Sequence, residues 1–332
     1  MKTRTERETI LGLYRQIIAS GLWILLCSAV VFAGEDAGRY PGKLGIAKAR
    51  HLSSAERAVE ARFAAYLEAN TDEAIARYIA TFGNEINSDN VRELSSDYAP
   101  GGINAGDPAT IAARTRWGDA VHEPASALTR EIYRRALRKD TAADRRKQVV
   151  FTAGGAGVGK TTSIRNIANL SHAVEIAEIV YDTTLSTYSS AVRRIAQALD
   201  AGRMVSIVYV YRDPIDSLVD GVLPRAQSMG RTLPLEIHLN THLGAVETIL
   251  KIADAYKNDR RVAIAIIDNR DGTGSAAEAD LGFVKRMARK YSRESLKAAL
   301  LPALEDAYEK SKRGERNGIS EAIYRAVKGH AP

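Results

Sequence analysis

A glycine-rich stretch near the middle of the chain constrains its fold more than any other feature. Residues 154–161 read GGAGVGKT and fit the phosphate-loop pattern G-x-x-x-x-G-K-[ST] at every required position. The apolar run 148–153 before it is typical of a buried strand, and residues 162–169 after it are typical of the first turns of a helix. Strand, glycine loop and helix together favour a nucleotide site over the alternative, a glycine-rich turn with a surface lysine.

Such a loop binds anions because successive backbone N–H groups turn inward and the helix N-terminus adds partial positive charge. We expect Lys160 to reach the β- and γ-phosphates and the Thr161 hydroxyl to bind Mg²⁺. The residues predicted to bind the nucleotide are Gly154, Gly155, Ala156, Gly157, Val158, Gly159, Lys160, Thr161 and Thr162.

Four apolar runs separated by helical patterns predict βαβ units and a parallel sheet. The predicted strands are 148–153, 174–181, 204–211 and 262–267. The third is almost continuously apolar (VSIVYVY), which suits a parallel strand buried on both faces. Residues 40–140 carry helical patterns, with helices predicted from Ser53 or Ser54, from Thr71, over 108–122 and over 124–138. Later helices are predicted to begin at Ser275, Arg293 and Ser320.

Composition narrows the classes of partner. The formal net charge is +7, which suits an anionic partner, and a nucleotide is sufficient. No lysine-rich run or aromatic-basic interleaving indicates nucleic acid. One cysteine, Cys27, excludes an internal disulfide and a thiolate cluster, and the six histidines lack zinc-site spacing, so no structural metal is expected. His238 and His242 share a helical face but lack a third metal ligand, which favours acceptor contact or packing.

An uncharged stretch lies near the start of the sequence, over residues 17–34. Its length falls between a signal-peptide core and a minimal membrane span, so residues 1–34 are predicted to be a signal-like or membrane-anchor segment. The alternatives are a buried helix and a misplaced start codon. Arg15 before the stretch predicts that the N-terminus stays inside and the rest is outside. That orientation conflicts with use of ATP, so we expect the catalytic domain where ATP is available: the cytoplasm or, if exported, a target cell.

Asp182 is the candidate catalytic base. Ligands of open parallel sheets lie beyond the carboxyl ends of the strands, and Asp182 ends the predicted strand that follows the loop. In a nucleotide kinase a carboxylate there faces the acceptor hydroxyl and takes its proton. The alternative is a helix cap, since Asp182 precedes a predicted helix.

Two further groups of residues lie near the predicted site. Asp268 ends the fourth predicted strand but is followed by Asn269 rather than a glutamate that could activate water, which disfavours an ATPase. Asp268 is instead expected near the adenine. Arg225 and Arg231 flank a glycine-containing segment and are predicted to fold over the phosphates as a lid; the alternative is a solvated helix end.

Five segments together resemble the zeta toxin family of P-loop kinases. They read FTAGGAGVGKTT, VYDTT and YRDPIDSLVDGVLPRAQSMGRTLPLEIHLNTH, preceded by INSDNVRELSSDY and VHEPASALTREIYRRAL. The likeness covers roughly residues 75–270. It implies an α/β P-loop kinase fold, with a central parallel sheet flanked by helices and a helical region before it. The hydrophobic N-terminus departs from the usual member of that family. Together with the patterns above, the predicted domains are the segment 1–34, a helical region 35–146 that packs on the kinase core, and the kinase domain 147–332.

The resemblance also implies an activity. Zeta toxins are similar to small-metabolite kinases that use ATP or GTP with Mg²⁺; one branch phosphorylates UDP-N-acetylglucosamine and a related effector branch phosphorylates NAD. It implies Lys160 and Thr161 as ligands of the nucleotide and Mg²⁺, Asp182 as base, and Arg225 and Arg231 as lid residues. A nucleotide-sugar-like acceptor and an antitoxin protein are the implied partners. The alternative is an NTPase or nucleotide-dependent switch without transfer to a metabolite.

Overall fold

The computed structural model describes residues 38–272 and 274–329. The chain divides into two units, Met1–Arg39 and Tyr40–Pro332, and all the helices and strands given below lie in the second. The predicted signal-like or anchor segment 1–34 lies outside the described residues. Within the described ranges, no helix combines the length and the apolarity needed to cross a membrane.

One sheet organises the second unit, and six strands form it in the described part of the chain. They are β1 Glu85–Ile86, β2 Arg146–Ala153, β3 Ala177–Asp182, β4 Met204–Tyr211, β5 Val262–Asp268 and β6 Ala277–Ala279. The spatial order is β1-β3-β2-β4-β5-β6. The first five are parallel and β6 pairs antiparallel with β5, so the sheet is mixed with mostly parallel strands. The predicted α/β class is confirmed.

Helices surround the sheet and precede it in the chain. Those before the glycine loop are α1 Ser54–Ala69, α2 Thr71–Phe82, α3 Ser88–Arg92, α4 Pro108–Trp117 and α5 His122–Ala136. Those after it are α6 Lys160–Arg165, α7 Ala168–Ile176, α8 Tyr188–Asp200, α9 Pro214–Ser217, α10 Leu223–Met229, α11 Leu235–Ala255, α12 Leu281–Met287, α13 Arg293–Lys312 and α14 Glu321–Lys328, with a π-helical turn over Leu218–Val222. The helical region predicted before the kinase core is therefore present, interrupted by β1.

The sheet is buried on both faces, as the continuous apolar strands indicate. Val149 and Phe151 of β2 join a cluster with side chains of α5, α8 and α11, whereas Val150 joins a second cluster with side chains of α6 and α7. Successive strand residues point to opposite faces, so one strand feeds both clusters. Side chains of α1 and α2 pack in the first cluster too. Residues on both sides of the predicted domain boundary at residue 147 contribute side chains to this core. The boundary therefore stays a prediction.

Several predicted boundaries are wrong, each for a local reason. The strand predicted from Val174 begins at Ala177, because α7 continues through the apolar residues before it. The helix predicted from Ser275 is replaced by β6, and α12 begins only after Asp280, whose side chain caps it by accepting the Phe283 N–H. The helix predicted over 108–122 ends at Trp117, where a glycine follows. Its successor then begins two residues earlier than predicted.

Candidate active site

The glycine loop leaves the centre of the sheet, because β2 lies between β3 and β4. Two of its glycines are required by their surroundings. Gly154 has φ 127° and Gly157 has φ 76°, in the region that side chains disfavour. A Cβ on Gly154 would lie 2.2 Å from the Val210 carbonyl oxygen, and one on Gly157 would lie 2.4 Å from that of Ser217. The loop therefore lies directly against neighbouring backbone.

Lys160 is the first residue of α6 and points toward the end of β3. Its ammonium Nζ lies 3.1 Å from the Thr183 carbonyl oxygen and 3.4 Å from Asp182 Oδ1. Thr161 and Thr162 lie exposed on the first turn of the same helix. The structure thus brings the predicted nucleotide ligands and Asp182 into one site.

Each carboxylate oxygen of Asp182 accepts a hydrogen bond from a neighbouring side chain. The Thr152 hydroxyl of β2 donates to Oδ1, and the Asn87 amide donates to Oδ2 at 2.7 Å. Because α8 begins only at Tyr188, the alternative that Asp182 caps that helix is wrong. The two bonds fix the orientation of the carboxylate beside Lys160.

Asn87 is a site residue that the sequence reasoning missed. Its amide oxygen accepts the Asp89 N–H at 2.8 Å and caps α3. Its amide nitrogen is the Asp182 donor, a role that no local pattern indicates. Glu85 of the adjacent β1 also lies near: burial, and then the negative charge of Asp182, raise the pKa of Glu85. The sequence signals for this region are the cap-forming residues 87–90 and the resemblance to a family segment, and neither indicates a contact with Asp182.

The predicted lid arginines both contact acidic residues at or beside α3. Arg225 Nη2 lies 3.4 Å from Asp89 Oδ2, and Arg231 Nη2 lies 3.1 Å from Glu93 Oε1. The Arg231 side chain is only 14% exposed, so the solvated-helix-end alternative does not describe it; that of Arg225 is 49% exposed. Their role toward phosphates stays a prediction.

Electrostatics connects these arginines to the glycine loop through Asp89. Burial raises the pKa of this carboxyl, but positive charges outweigh burial and hold the pKa at about 2. The charges belong to Arg92, Arg225, Arg231 and Lys160. Asp89, which the sequence reasoning did not single out, therefore lies in a strongly cationic neighbourhood that includes the loop lysine.

The residues at the end of β5 have structural partners. Asp268 forms an ion pair with Arg270, with 2.8 Å between carboxylate and guanidinium. Asn269 is buried and its amide donates to the Val158 carbonyl oxygen at 2.7 Å, which ties the strand end to the glycine loop. In the sequence, Asn269 is notable only for standing where an ATPase would have a glutamate, and the pattern does not predict its contact with the glycine loop. The predicted place of Asp268 near an adenine stays a prediction.

His238 and His242 of α11 are buried beneath the site. Their ring nitrogens contact backbone carbonyl oxygens, that of Pro214 at 2.8 Å and that of Ala156 at 3.0 Å. Burial lowers the pKa of His238 to about 4 and that of His242 well below its usual value. These contacts agree with packing rather than with metal binding. Residues 38–272 and 274–329 hold no group of three or more His, Cys, Asp or Glu side chains that is arranged to bind a metal ion.

Comparison with protein-family models gives a match over part of the chain that includes residues of the candidate site. Residues 170–276 match the family model described as Zeta toxin. The resemblance read from the sequence is thereby confirmed over this segment. It contains Asp182, Arg225 and Arg231, whereas the glycine loop 154–161 precedes it.

Solved structures give more distant similarities. A complex of AvrRxo1-ORF1 and AvrRxo1-ORF2 with sulphate ions is 14% identical, with 57% of this chain and 80% of that chain covered and a TM-score of 0.38. The complex described with ATP is 15% identical, with 59% and 81% covered and a TM-score of 0.38. The native complex is 14% identical, with 52% of this chain and 82% of that chain covered and a TM-score of 0.34. Similarity at this level assigns no function. Among curated proteins, none matches the chain.

Proposed function

We propose that this chain is an ATP-dependent kinase that transfers the γ-phosphate to a hydroxyl of a small metabolite of the nucleotide-sugar class, resembling UDP-N-acetylglucosamine. The carrying observation is the 3.4 Å separation between Lys160 Nζ and Asp182 Oδ1 beside the glycine loop. This separation supports the proposal because Lys160 is the candidate cation for the donor phosphates and Asp182 the candidate base for the acceptor. The two residues lie at the carboxyl ends of adjacent parallel strands. The Zeta toxin match over 170–276 supports the same function.

The proposed reaction uses the geometry as follows. The loop N–H groups and Lys160 hold the triphosphate, and Asp182 accepts the proton of the acceptor hydroxyl. The hydroxyl oxygen forms a bond to the γ-phosphorus while the bond from that phosphorus to the β–γ bridging oxygen breaks, which releases ADP. Thr152 and Asn87 orient the carboxylate, and such positioning contributes strongly to rates of this kind of transfer.

The residues present fit a Mg²⁺ ion. Thr161 offers an exposed hydroxyl on the first turn of α6, and Mg²⁺ prefers oxygen ligands drawn largely from phosphates and water. Thr161 would therefore hold the ion together with the donor phosphates. The bound ion would neutralise charge on the phosphates during transfer.

The remaining elements of the proposal concern the donor, the partner and the place of action. GTP is the alternative donor. If the kinase acts as a toxin, it would pair with an antitoxin protein. It would act where nucleoside triphosphates are present. Membrane association through residues 17–34 concerns a segment outside the described residues and stays a prediction.

The proposal is tested by Asp182→Asn in an assay with γ-labelled ATP and a metabolite extract. We expect label to move into a metabolite with wild type, and transfer to fall roughly 10²- to 10⁴-fold in the variant while ATP binding remains. Asp259→Asn is the matched control: the same charge change at an ion pair with Arg261, distant in sequence from the site.

Two results would contradict the assignment. Wild-type turnover in Asp182→Asn would remove Asp182 as base, and wild-type transfer in Lys160→Ala would remove the phosphate-loop assignment. Label released from wild type only as free phosphate would instead identify an NTPase. Mass spectrometry of metabolites after expression of wild type and Asp182→Asn would identify the acceptor.

A further inference from the structure

A buried histidine lies directly against the glycine loop. His242 Nε2 is 3.0 Å from the Ala156 carbonyl oxygen and 3.0 Å from Ser217 Oγ. The residue is 4% exposed, so protein atoms surround the ring almost completely. No step of the proposed transfer uses this group.

The neighbouring contacts indicate which atom carries the hydrogen. The Ser217 hydroxyl donates to the Pro214 carbonyl oxygen at 3.0 Å, so its oxygen is left to accept from the ring. Burial, and next the adjacent His238, lower the pKa of His242, which keeps the imidazole neutral. A neutral ring with hydrogen on Nε2 donates to both Ala156 and Ser217.

The glycine at position 155 fits the ring rather than a special backbone conformation. A Cβ added to Gly155 would lie 2.4 Å from His242 Cε1 and Nε2, too close for any side chain. Its φ is outside the left-handed region, unlike that of Gly154 at 127°. The ring therefore occupies the space that a side chain at 155 would need, so the loop and the histidine are shaped to one another.

Holding the Ala156 carbonyl has a consequence for the next residue. The peptide unit is planar and trans, so fixing the carbonyl toward the ring fixes the Gly157 N–H in the opposite direction. Inward-turned N–H groups are what allow such a loop to bind phosphate. The hydrogen bond from His242 thus controls the orientation of one predicted phosphate donor.

We propose that His242 is a positioning residue that holds the glycine loop in its phosphate-binding conformation by donating from Nε2 to the Ala156 carbonyl. The inference rests on the proposed function, because it takes the loop to bind a triphosphate. His242 itself touches neither nucleotide nor acceptor in this role.

The first test compares His242→Leu, which fills the space without a donor, with His242→Gln, whose amide can donate. We expect the leucine variant to bind MgATP roughly tenfold more weakly and the glutamine variant to recover most of that loss. Affinity for AMP, measured in parallel by calorimetry, should change less because fewer phosphates reach the loop. If the histidine were purely structural, its substitution would lower the affinities for MgATP and AMP by similar factors.

The second test is a double-mutant cycle with Gly155→Ala. In the wild-type background the added methyl group meets the ring, so MgATP affinity should fall at least tenfold. In a His242→Ala background the space is open, so the same substitution should change affinity little. Gly154→Ala is the matched control: its neighbour is the Val210 carbonyl oxygen, so its effect should persist in both backgrounds.

The outcomes separate this inference from the function on which it rests. Wild-type protein that fails to bind MgATP would overturn both. Wild type that binds, with a folded His242→Leu variant of equal affinity or strictly additive effects in the cycle, would overturn the role of His242 alone. If His242→Leu does not fold, the glutamine variant and the cycle decide.

Discussion

At the scale of single residues, Asn87 has two separate tasks that one amide performs. Its oxygen caps α3 through the Asp89 N–H, and its nitrogen holds Asp182 Oδ2. The first task concerns the stability of a short helix and the second concerns the orientation of the candidate base. A substitution that retains one task and removes the other can therefore distinguish them.

Asn87→Ser is expected to reduce transfer while leaving stability near that of wild type. Serine accepts the capping hydrogen bond well, but its hydroxyl is too short to replace the amide nitrogen on Asp182. We predict a roughly ten- to hundredfold lower kcat from misorientation of the carboxylate. Asn87→Ala, the control, should show the same kcat loss plus a lower free energy of unfolding by about 1 kcal/mol. Unchanged kcat in the serine variant would remove Asn87 from the site.

The site residues that sequence could predict are those whose role depends on nearby residues. Lys160 and Asp182 stand at fixed places after their strands, so the strand pattern predicts their location. Asn87 lies 95 residues before Asp182, and His242 lies 86 residues after Ala156. Those contacts depend on β1 joining the sheet beside β3 and on the path of α11, which no local pattern encodes.

At the scale of elements, a buried carboxylate joins three segments around the site. Glu93, directly after α3, is fully buried and lies 2.6 Å from Arg114 of α4 and 3.1 Å from Arg231, just beyond α10. The Arg114 side chain is only 2% exposed. Charges this deep are costly unless paired, so this cluster holds the predicted lid segment against the helical region.

Glu93→Gln is expected to lower the free energy of unfolding by about 3–5 kcal/mol, because it leaves buried arginines without their counter-charge. The matched comparison is the exposed pair Arg62–Asp97, where Arg62→Ala should cost far less because water screens the exposed charges. Urea unfolding followed by circular dichroism measures both. Similar small losses in the two variants would show that the Glu93 cluster contributes no more than a surface pair.

The elements were predictable where their patterns are long and regular. The run at β4 is apolar over eight residues except for Ser206, that at β5 is apolar over six, and their predicted and observed bounds agree within one residue. The edge strands β1 and β6 have two and three residues, too few to show an alternating pattern. They form because neighbouring strands offer unpaired backbone groups, which is a property of the assembled sheet.

At the scale of the whole molecule, buried neutral histidines link folding to pH. Burial lowers the pKa of His238 to about 4 and that of His242 well below its usual value. His238 and His242 also face one another, with ring centroids 4.4 Å apart. Charging either ring in the folded protein is therefore unfavourable, whereas both charge freely in the unfolded chain near pH 6.5.

The free energy of unfolding should consequently fall as pH decreases from about 6.5 to about 4, since the unfolded state binds protons there that the folded state does not. For His238, which is fully buried, the loss between pH 6.5 and pH 5 should be roughly 2 kcal/mol, at about 1.36 kcal/mol per pH unit. Below about pH 4 its share stops growing because the folded protein also takes the proton. Urea unfolding at pH 5, 6 and 7 should show a flatter dependence for His238→Gln. His172→Gln, at a side chain 69% exposed, should retain the wild-type slope; equal slopes in all three proteins would contradict the linkage.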